Sequence, residues 1–232
     1  MSNQYEVLGT APNAEDLKNL SPENVHLKIK NLNAGYGKME ILHNLNLFVS
    51  RAQSLCLIGP NGAGKSTTIK MLTGILRPSS GLIRIDGLNP EKSRKEIARK
   101  LGVVFGQKTQ LWWDLPVGES YDLLRTIYKI PQQRFRQRLD YFVDLLKMED
   151  FLGQQTRKLS LGQRMRADLA ASLLHDPPIL FLDEPTIGLD IITKDVVRKT
   201  IKQLNQEQKT TVVLTTHDME DPSLVQPQVP DG

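Results

Sequence analysis

The sequence predicts an α/β domain built around a mostly parallel sheet, because short apolar stretches alternate with longer stretches of helical periodicity. Leu55–Ile58, Leu101–Phe105 and Ile179–Leu182 are almost entirely apolar, as strands buried on both faces are. Helices are predicted at Lys65–Leu76 and Thr193–Asn205, where apolar residues recur on one face. A chain of 232 residues is long enough for one such domain with a large core.

The amino-terminal region divides into a polar extension and two alternating strands. Residues 1–26 contain two prolines and show no sustained hydrophobic period, so we expect an extension outside the core. Val25–Leu32 alternates apolar and polar residues, which predicts an edge strand. A turn-rich break is expected at Asn33–Lys38, and Leu45–Val49 alternates again.

The middle and the end of the chain supply further elements of the same kinds. A turn at Arg77–Gly81 precedes a predicted strand at Leu82–Asp86, and Lys92–Lys100 has a helical pattern. The last predicted strand is Thr211–Leu214. These elements extend the alternation of strands and helices over most of the chain.

A block from about residue 115 to residue 175 is mostly helical and is expected to be an insertion on one side of the sheet. Helices are predicted at Glu119–Tyr128 and Gln132–Leu146. Ser160 and Gln163 have capping-box spacing, in which each side chain satisfies a backbone donor of the first turn. A further helix therefore begins at Ser160.

The composition excludes several classes of protein. The single cysteine, Cys56, excludes a disulfide framework and a zinc cluster held by thiolates, and it fits a reducing compartment. A net charge of +4 is too mild to indicate nucleic-acid binding. No apolar run approaches the roughly 18 residues that a membrane span requires, so we expect a soluble, cytoplasmic chain.

Basic residues concentrate at Lys92–Lys100 and at Arg134–Arg138. Such clusters on predicted helices are typical of solvated helix faces. The alternative is a surface that meets acidic lipid headgroups or an acidic partner.

Residues 59–67 match the phosphate-binding loop pattern, Gly-x-x-x-x-Gly-Lys-Ser, between a short apolar strand and a helix. The glycines let backbone N–H groups turn toward phosphate oxygens, and the helix N-terminus adds partial positive charge. Lys65 is placed to reach the β- and γ-phosphates of a nucleotide, and Ser66 offers a hydroxyl ligand to Mg²⁺. The candidate nucleotide-binding residues are Gly59, Pro60, Asn61, Gly62, Ala63, Gly64, Lys65, Ser66 and Thr67.

Two acidic residues, Asp183 and Glu184, directly follow the apolar strand at Ile179–Leu182. A carboxylate at the end of a central parallel strand lies in the crevice where such sheets bind ligands. Asp183 is therefore a candidate Mg²⁺ ligand, and Glu184 a candidate base for an attacking water. The prediction depends on the phosphate loop upstream, since an apolar strand that ends in two acids is common by itself.

The stretch Leu159-Ser160-Leu161-Gly162-Gln163, followed by Arg-Met-Arg-Ala-Asp-Leu-Ala, resembles the signature motif of ABC ATPases. The motifs follow one another as the phosphate loop, Gln107, the signature, Asp183-Glu184, Asp190 in Gly-Leu-Asp, and His217. This order is similar to that of the nucleotide-binding subunits of ABC transporters. The segment from Val103 to Pro116 further resembles ATPases of ABC-2-type exporters.

The resemblance implies a P-loop NTPase fold with an ABC-type core. That core has a mostly parallel sheet, antiparallel N-terminal strands and an inserted helical subdomain at about 115–175. The ATPase domain is expected at residues 27–220. Residues 221–232 contain three prolines and lack apolar periodicity, which predicts a disordered tail.

The resemblance also implies roles for single residues around ATP and Mg²⁺. Tyr36 matches the aromatic residue that stacks on adenine. Gln107 matches the glutamine that touches Mg²⁺ and the attacking water. His217 matches the histidine that contacts the γ-phosphate and orients Glu184. The other histidines, His26, His43 and His175, are interpreted as structural.

In this family, the signature motif contacts ATP that is held by the other subunit of a dimer. Here those residues are Ser160, Gly162 and Gln163, and Asp190 matches the loop that couples the two sites. The signature departs from the family at Leu161, where glycine is most frequent. The Ser160 hydroxyl and the Gly162 backbone are retained, so we expect the motif to function.

The resemblance implies the ATPase subunit of an ABC exporter, which converts ATP and water to ADP and phosphate. Its partners would be an integral-membrane permease and a second ATPase subunit, identical or different, on the cytoplasmic face of the membrane. One alternative is a soluble ABC ATPase of DNA repair or translation. The interval from Gln107 to Leu159 leaves no room for the coiled coil of the former, and the single phosphate loop disfavours the latter.

A second alternative is a truncated, non-catalytic ATP-binding form. After Met219 the family continues through a helix and further strands, whereas this sequence continues with three prolines in a short stretch. Proline disfavours both helix and central strand, so we expect the C-terminal part of the core to be missing.

Two adjacent tryptophans, Trp112 and Trp113, follow Gln107 and precede the helical block. Large aromatic residues there are suited to line a groove for a short helix of the membrane partner. The alternative is that both belong to the core of the helical subdomain.

Overall fold

The computed structural model describes residues 25–36, 39–106 and 108–217, with only the backbone at Tyr36 and Met39. In chain order the elements are β1 (Val25–Tyr36), β2 (Met39–Ser50), β3 (Ser54–Ile58), α1 (Lys65–Leu72), β4 (Ser80–Ile85), α2 (Arg94–Lys100), β5 (Leu101–Phe105), α3 (Val117–Tyr128), α4 (Gln132–Leu145), α5 (Leu161–Leu173), β6 (Ile179–Asp183), α6 (Ile191–Gln208) and β7 (Thr211–Thr216). The alternation of strands and helices confirms the predicted α/β class.

The larger sheet has four parallel strands in the order β3-β7-β6-β5. One of its two inner strands is β6, whose first four side chains are all buried. Since successive side chains of a strand point to opposite sides, β6 is buried on both faces. Ile179 and Phe181 pack with the antiparallel strands and α1, whereas Leu180 and Leu182 pack with the helical block. This double burial explains why the strand is apolar until its last residue, Asp183.

The smaller sheet has three antiparallel strands in the order β2-β1-β4. Strand β1 lies in its centre, so the prediction of an edge strand at Val25–Leu32 is wrong. The missing neighbour is β4, in which Ile85 pairs with Leu27 from far away in the sequence. Strand β1 already begins at Val25, two residues before the expected start of the domain at residue 27.

Helices α3, α4 and α5 form a block on one side of the parallel sheet. Tyr121 and Phe142 are fully buried between them, and the Tyr121 hydroxyl donates a 2.9 Å hydrogen bond to the carbonyl oxygen of Ala167. The predicted capping box opens α5: Gln163 N donates to Ser160 Oγ, and Ser160 N donates to Gln163 Oε1. Across the residues that the structure covers, every helix is too short or too polar to cross a bilayer.

Helix α1 ends at Leu72 rather than at the predicted Leu76. Gly74 adopts a φ of +73°, and a Cβ there would lie 2.8 Å from the carbonyl oxygen of Pro90. The Thr73 hydroxyl also donates to the carbonyl oxygen of Ile69. The chain therefore turns out of the helix at a position that only glycine fits.

A cluster of polar side chains lies at the amino-terminal end of β7, between the two sheets. We call it the joint cluster; its members are His26, Arg51, Asp86, Lys100 and Thr211. The carboxylate of Asp86 accepts hydrogen bonds from Arg51 and Lys100, each at 2.7 Å. His26 Nδ1 lies 2.7 Å from Thr211 Oγ1, and its Nε2 lies 3.2 Å from Asp86 Oδ1. Burial lowers the pKa of His26 to about 4, so this side chain is neutral near pH 7.

Most residues of the two basic clusters are exposed on their helices, as the first of the two interpretations expected, but Arg138 is only 15% exposed and Lys100 belongs to the joint cluster. In α2 only Ile97 is buried. Arg134 and Arg138 of α4 both pair with Asp176. Part of the second cluster is therefore committed to an ion pair within the chain.

Candidate functional site

The phosphate loop joins the carboxyl end of β3 to α1, as the sequence predicts. Gly62 and Gly64 have φ angles of +87° and +86°. A Cβ at Gly64 would lie 2.6 Å from Leu42 Cδ2, so a larger residue would displace β2 as well as strain the loop. The turn directs the amino end of α1, with its unpaired N–H groups, toward the mouth of the site.

The ammonium group of Lys65 lies inside this loop. Its Nζ donates to the carbonyl oxygens of Gly59 at 2.7 Å and Pro60 at 3.0 Å, and it is 3.8 Å from Glu184 Oε1. The residue is only 8% exposed. A buried positive charge held by neutral carbonyls can exchange them for phosphate oxygens, which bind it more strongly.

Asp183 is the last residue of β6, and strand register decides what it meets. It pairs with Thr215 of β7 on one side and with Phe105 of β5 on the other. Asp183 Oδ1 accepts hydrogen bonds from Ser66 Oγ at 2.9 Å and from Thr215 Oγ1 at 2.7 Å. The predicted pair Ser66 and Asp183 is thus assembled from α1 and β6.

This oxygen pair fits Mg²⁺, which is a hard cation and prefers oxygen ligands. In the described part of the chain, no group of three or more His, Cys, Asp or Glu side chains could hold a metal by itself. Mg²⁺ typically takes one or two protein oxygens and completes its shell with phosphates and water. The donor set suits a metal that arrives with a nucleotide.

Glu184 follows with a backbone that few non-glycine residues adopt. Its φ is +52°, and its N–H donates to both the carbonyl oxygen and the Oγ1 of Thr215, at 3.2 and 3.0 Å. These bonds hold a conformation that would otherwise be unfavourable. The carboxylate is directed between Lys65 and His217, whose Nδ1 lies 3.2 Å from Glu184 Oε2.

The cleft at the phosphate loop has a volume of about 140 Å³ and is lined by Lys65, Ser66 and Glu184, among others. A second cleft, of about 100 Å³, adjoins it at Glu184 and His217. Sites that enclose a drug-sized molecule measure roughly 300–1,000 Å³. The first cleft therefore has room for the phosphate end of a nucleotide and leaves the remainder outside.

The signature residues gather in a separate group, where the amino ends of α5 and α6 meet. A Cβ at Gly162 would lie 2.9 Å from Thr193 Oγ1 of α6, so only glycine allows this approach. Asp190 caps α6, accepting from Thr193 N at 2.9 Å and from Thr193 Oγ1 at 2.7 Å. The hydrogen bonds from Thr193 lower the pKa of Asp190, which keeps its carboxylate charged.

The structure thus brings the phosphate loop, Asp183, Glu184 and His217 into one site and places Ser160, Gly162, Gln163 and Asp190 in another. Gln107 and the side chain of Tyr36 lie outside the described residues. Sequence reasoning missed Thr215 and Thr193, which organise the two groups. The sequence marks these two residues only weakly. Thr215 is one of two adjacent threonines, and Thr193 stands three residues after Asp190, at the N3 position of the helix that Asp190 caps.

Trp112 and Trp113 are exposed, by 39% and 51%. The alternative that both are core residues of the helical block is therefore wrong. Leu123 and Ile127, one turn apart on α3, are also exposed apolar residues.

The model of the ABC transporter family matches residues 42–187, which is more than half of the chain. Similar curated proteins include the ABC transporter ATP-binding protein NatA of Bacillus subtilis, 31% identical over 79% of this chain and 74% of NatA. The choline transport ATP-binding protein OpuBA of the same species is 32% identical over 84% of this chain and 52% of OpuBA. The linearmycin resistance ATP-binding protein LnrL, also from this species, is 31% identical over 84% of this chain and 62% of LnrL. The chain thus spans between about half and three quarters of the length of these relatives.

Solved structures agree with the family match. CbiO1 from Clostridium perfringens, part of the ABC transporter complex cbiONQ, has a TM-score of 0.77 and 31% identity, over 88% of this chain and 83% of cbiO1. The ATP-binding cassette MJ0796, solved as a dimer in a post-hydrolysis state with ADP and Pi, has a TM-score of 0.73 and 29% identity. That match covers 84% of this chain and 89% of MJ0796.

Proposed function

The chain belongs to the ABC transporter family of ATPases, and from this premise we propose that it hydrolyses ATP to drive transport through a membrane-embedded partner. One observation carries the proposal. The Glu184 carboxylate lies between the Lys65 ammonium and the His217 imidazole, next to the Ser66–Asp183 oxygen pair. Charge to bind phosphate, oxygen ligands for a metal and a positioned base are the parts that phosphoryl transfer to water requires.

In the proposed reaction, the phosphate loop and Lys65 hold the β- and γ-phosphates of ATP. Ser66 and Asp183 would hold Mg²⁺, which neutralises charge on the phosphate oxygens when bound. Glu184 accepts a proton from the attacking water at its carboxylate, while His217 fixes that carboxylate from the other side. Thr215 positions both acids, since its hydroxyl donates to Asp183 and accepts from the backbone of Glu184.

We propose that a second ATPase subunit completes the site. The cleft at the phosphate loop leaves most of a nucleotide uncovered, and the signature residues of the same chain form a different group. In a symmetric pair, Ser160, Gly162 and Gln163 of one subunit would cover the ATP on the other. Tyr36 would stack on the adenine, Gln107 would approach the metal and the water, and Asp190 would couple the two sites.

The membrane partner is proposed to be an integral permease that docks at the exposed Trp112 and Trp113, which would place the ATPase on the cytoplasmic face. The exporter direction is supported by the ABC-2-like segment from Val103 to Pro116 and by the name of LnrL, while OpuBA is named for choline transport. Reconstitution with its permease in sealed vesicles would decide the direction from the side on which cargo accumulates.

The test of the activity measures phosphate release by the full chain with ATP and Mg²⁺, with and without the permease. We expect steady release of phosphate and its loss in Lys65→Ala, because that ammonium meets the phosphates in the ground state. Lys199→Ala is the matched control and should retain activity, because this exposed lysine of α6 pairs with Asp195 and lines none of the clefts at the site. Nucleotide binding without phosphate release by the unaltered chain under both conditions would instead support the non-catalytic alternative.

A further inference from the structure

The segment after Gln107 is bound to the signature helix α5 by a buried carboxylate. Asp168 Oδ1 accepts hydrogen bonds from Thr109 Oγ1 at 2.9 Å and from Gln110 N at 3.0 Å. The Gln110 side-chain amide donates in turn to the backbone carbonyl of Asp168 at 3.0 Å. Two consecutive loop residues are therefore held by both the side chain and the backbone of one helical residue.

A second contact joins the same two parts of the chain one turn earlier on α5. The guanidinium of Arg164 lies over the ring of Trp113, 4.8 Å from its centroid. Its Nη2 lies within 3.4 Å of the carbonyl oxygen of Leu159, which orients the group. Arg164 and Asp168 are four residues apart, so they share one face of the helix and both point toward the segment Thr109–Trp113.

Asp168 is poorly placed if its role is only to stabilise the fold. It is 5% exposed, and burial raises the pKa of its carboxyl to about 6. A helix position packed against a core normally takes an apolar side chain, because burying a carboxylate is unfavourable unless its bonds serve a purpose. Here those bonds all run to the loop segment.

We propose that Arg164 and Asp168 clamp the segment Thr109–Trp113 to the signature helix, so that force on Trp112 and Trp113 moves Ser160 and Gly162. The inference extends the proposed function, in which these tryptophans meet the membrane partner. Without the clamp, a loop would absorb the displacement. With it, the segment and the first two turns of α5 move as one body, because a hydrogen-bonded helix is rigid over that length. Arg164 and Asp168 act through their contacts with this segment and are therefore positioning residues.

The chain offers its own optical reporter, since Trp112 and Trp113 are its two tryptophans. We would compare the full-length chain with Asp168→Ala, which removes the acceptor, and Arg164→Lys, which keeps the charge but loses the planar stack. Asp168→Asn retains an acceptor oxygen and should rescue most of the effect. Arg166→Lys is the matched control, because Arg166 stacks on Phe151 and not on the segment.

In Asp168→Ala and Arg164→Lys, tryptophan emission should shift to the red and acrylamide quenching should rise, while Arg166→Lys should match the parent. The turnover number for ATP should fall about tenfold with KM nearly unchanged, since misplacement acts on the reacting geometry and the phosphate loop still binds ATP. Circular dichroism and the urea midpoint identify any variant that fails to fold.

Unchanged emission and quenching in folded Asp168→Ala and Arg164→Lys would overturn the clamp. Raised quenching with unchanged turnover would overturn its link to the signature residues. An unaltered chain that hydrolyses no ATP would refute the proposed function, and the quenching comparison would still decide whether the clamp exists.

Discussion

Strand β7 carries a buried threonine near each end, and the two threonines organise two different polar clusters. Thr211, at its start, lies 2.7 Å from His26 in the joint cluster. Thr215, near its end, donates at 2.7 Å to Asp183 beside the phosphate loop. The residue types in the two clusters are similar: each contains a histidine, a lysine and at least one acid.

The clusters differ in how fully their groups are paired. In the joint cluster both carboxylate oxygens of Asp86 accept short bonds from cations, and both ring nitrogens of His26 have close partners. The Glu184 carboxylate lies 3.8 Å from the Lys65 ammonium, against 2.7 Å between Asp86 and each of its cations, and 3.2 Å from His217. It borders open clefts. A saturated cluster holds elements together, whereas one with unused bonding capacity at a cleft is ready for a ligand.

The largest effect expected from this difference is on turnover. Glu184→Gln keeps the size of the side chain but removes the base, so phosphate release should fall roughly a hundredfold while ATP binding persists. The ATP-bound dimer should accumulate, as gel filtration with ATP would show. Hydrolysis at the normal rate would mean that Glu184 is not the base.

The two threonines allow a matched comparison within one strand. Thr215→Val should lower turnover about tenfold, because the acids lose their shared positioning group. Thr211→Val should leave turnover unchanged and lower the free energy of unfolding by about 1–2 kcal/mol, since it removes hydrogen bonds in the joint cluster. Phosphate release and urea denaturation measure the two outcomes. Equal effects of both variants on turnover would remove the distinction between the clusters.

The smallest effect concerns the pH dependence of stability. The pKa of His26 is about 4 in the fold and near 6.5 in the unfolded chain, so only the unfolded chain takes up this proton between those values. The contribution of neutral His26 to the free energy of unfolding is therefore complete above pH 6.5 and is lost as the pH falls toward 4.

The urea midpoint of the unaltered chain should therefore fall more between pH 7 and pH 5 than that of His26→Gln. Burial also lowers the pKa of His175 to about 4. His175 is present in both chains, so its effect on the pH dependence of stability is the same in each. A steeper fall in the variant would contradict the neutral assignment of His26.

The sequence alone predicted those parts of the structure that a local pattern of residues determines. The phosphate loop and the capping box at Ser160 and Gln163 are complete within a few residues, and the structure forms both. Family membership confirms the resemblance drawn from the order of the motifs.

The features that the sequence did not predict depend on pairings between segments that are distant in the chain. Alternation in β1 could not distinguish an edge strand from a central one, because the pairing with β4 lies far along the chain. Nothing local separates Thr215 from its neighbour Thr216; the register between β6 and β7 places it opposite Asp183. The joint cluster likewise joins residues from several elements, so no spacing in the sequence marks it.

Leu161, the departure within the signature, has a consequence for how this sequence can change. A Cβ added at Gly188, whose φ is +69°, would lie 3.2 Å from Leu161 Cδ2. Gly188 is therefore constrained twice, because its backbone conformation strains any other side chain and because a Cβ would require the flexible end of Leu161 to shift by a few tenths of an ångström. A side chain at position 188 should therefore be poorly tolerated whatever residue stands at 161, and a smaller residue at 161 should relieve only the steric part of the cost.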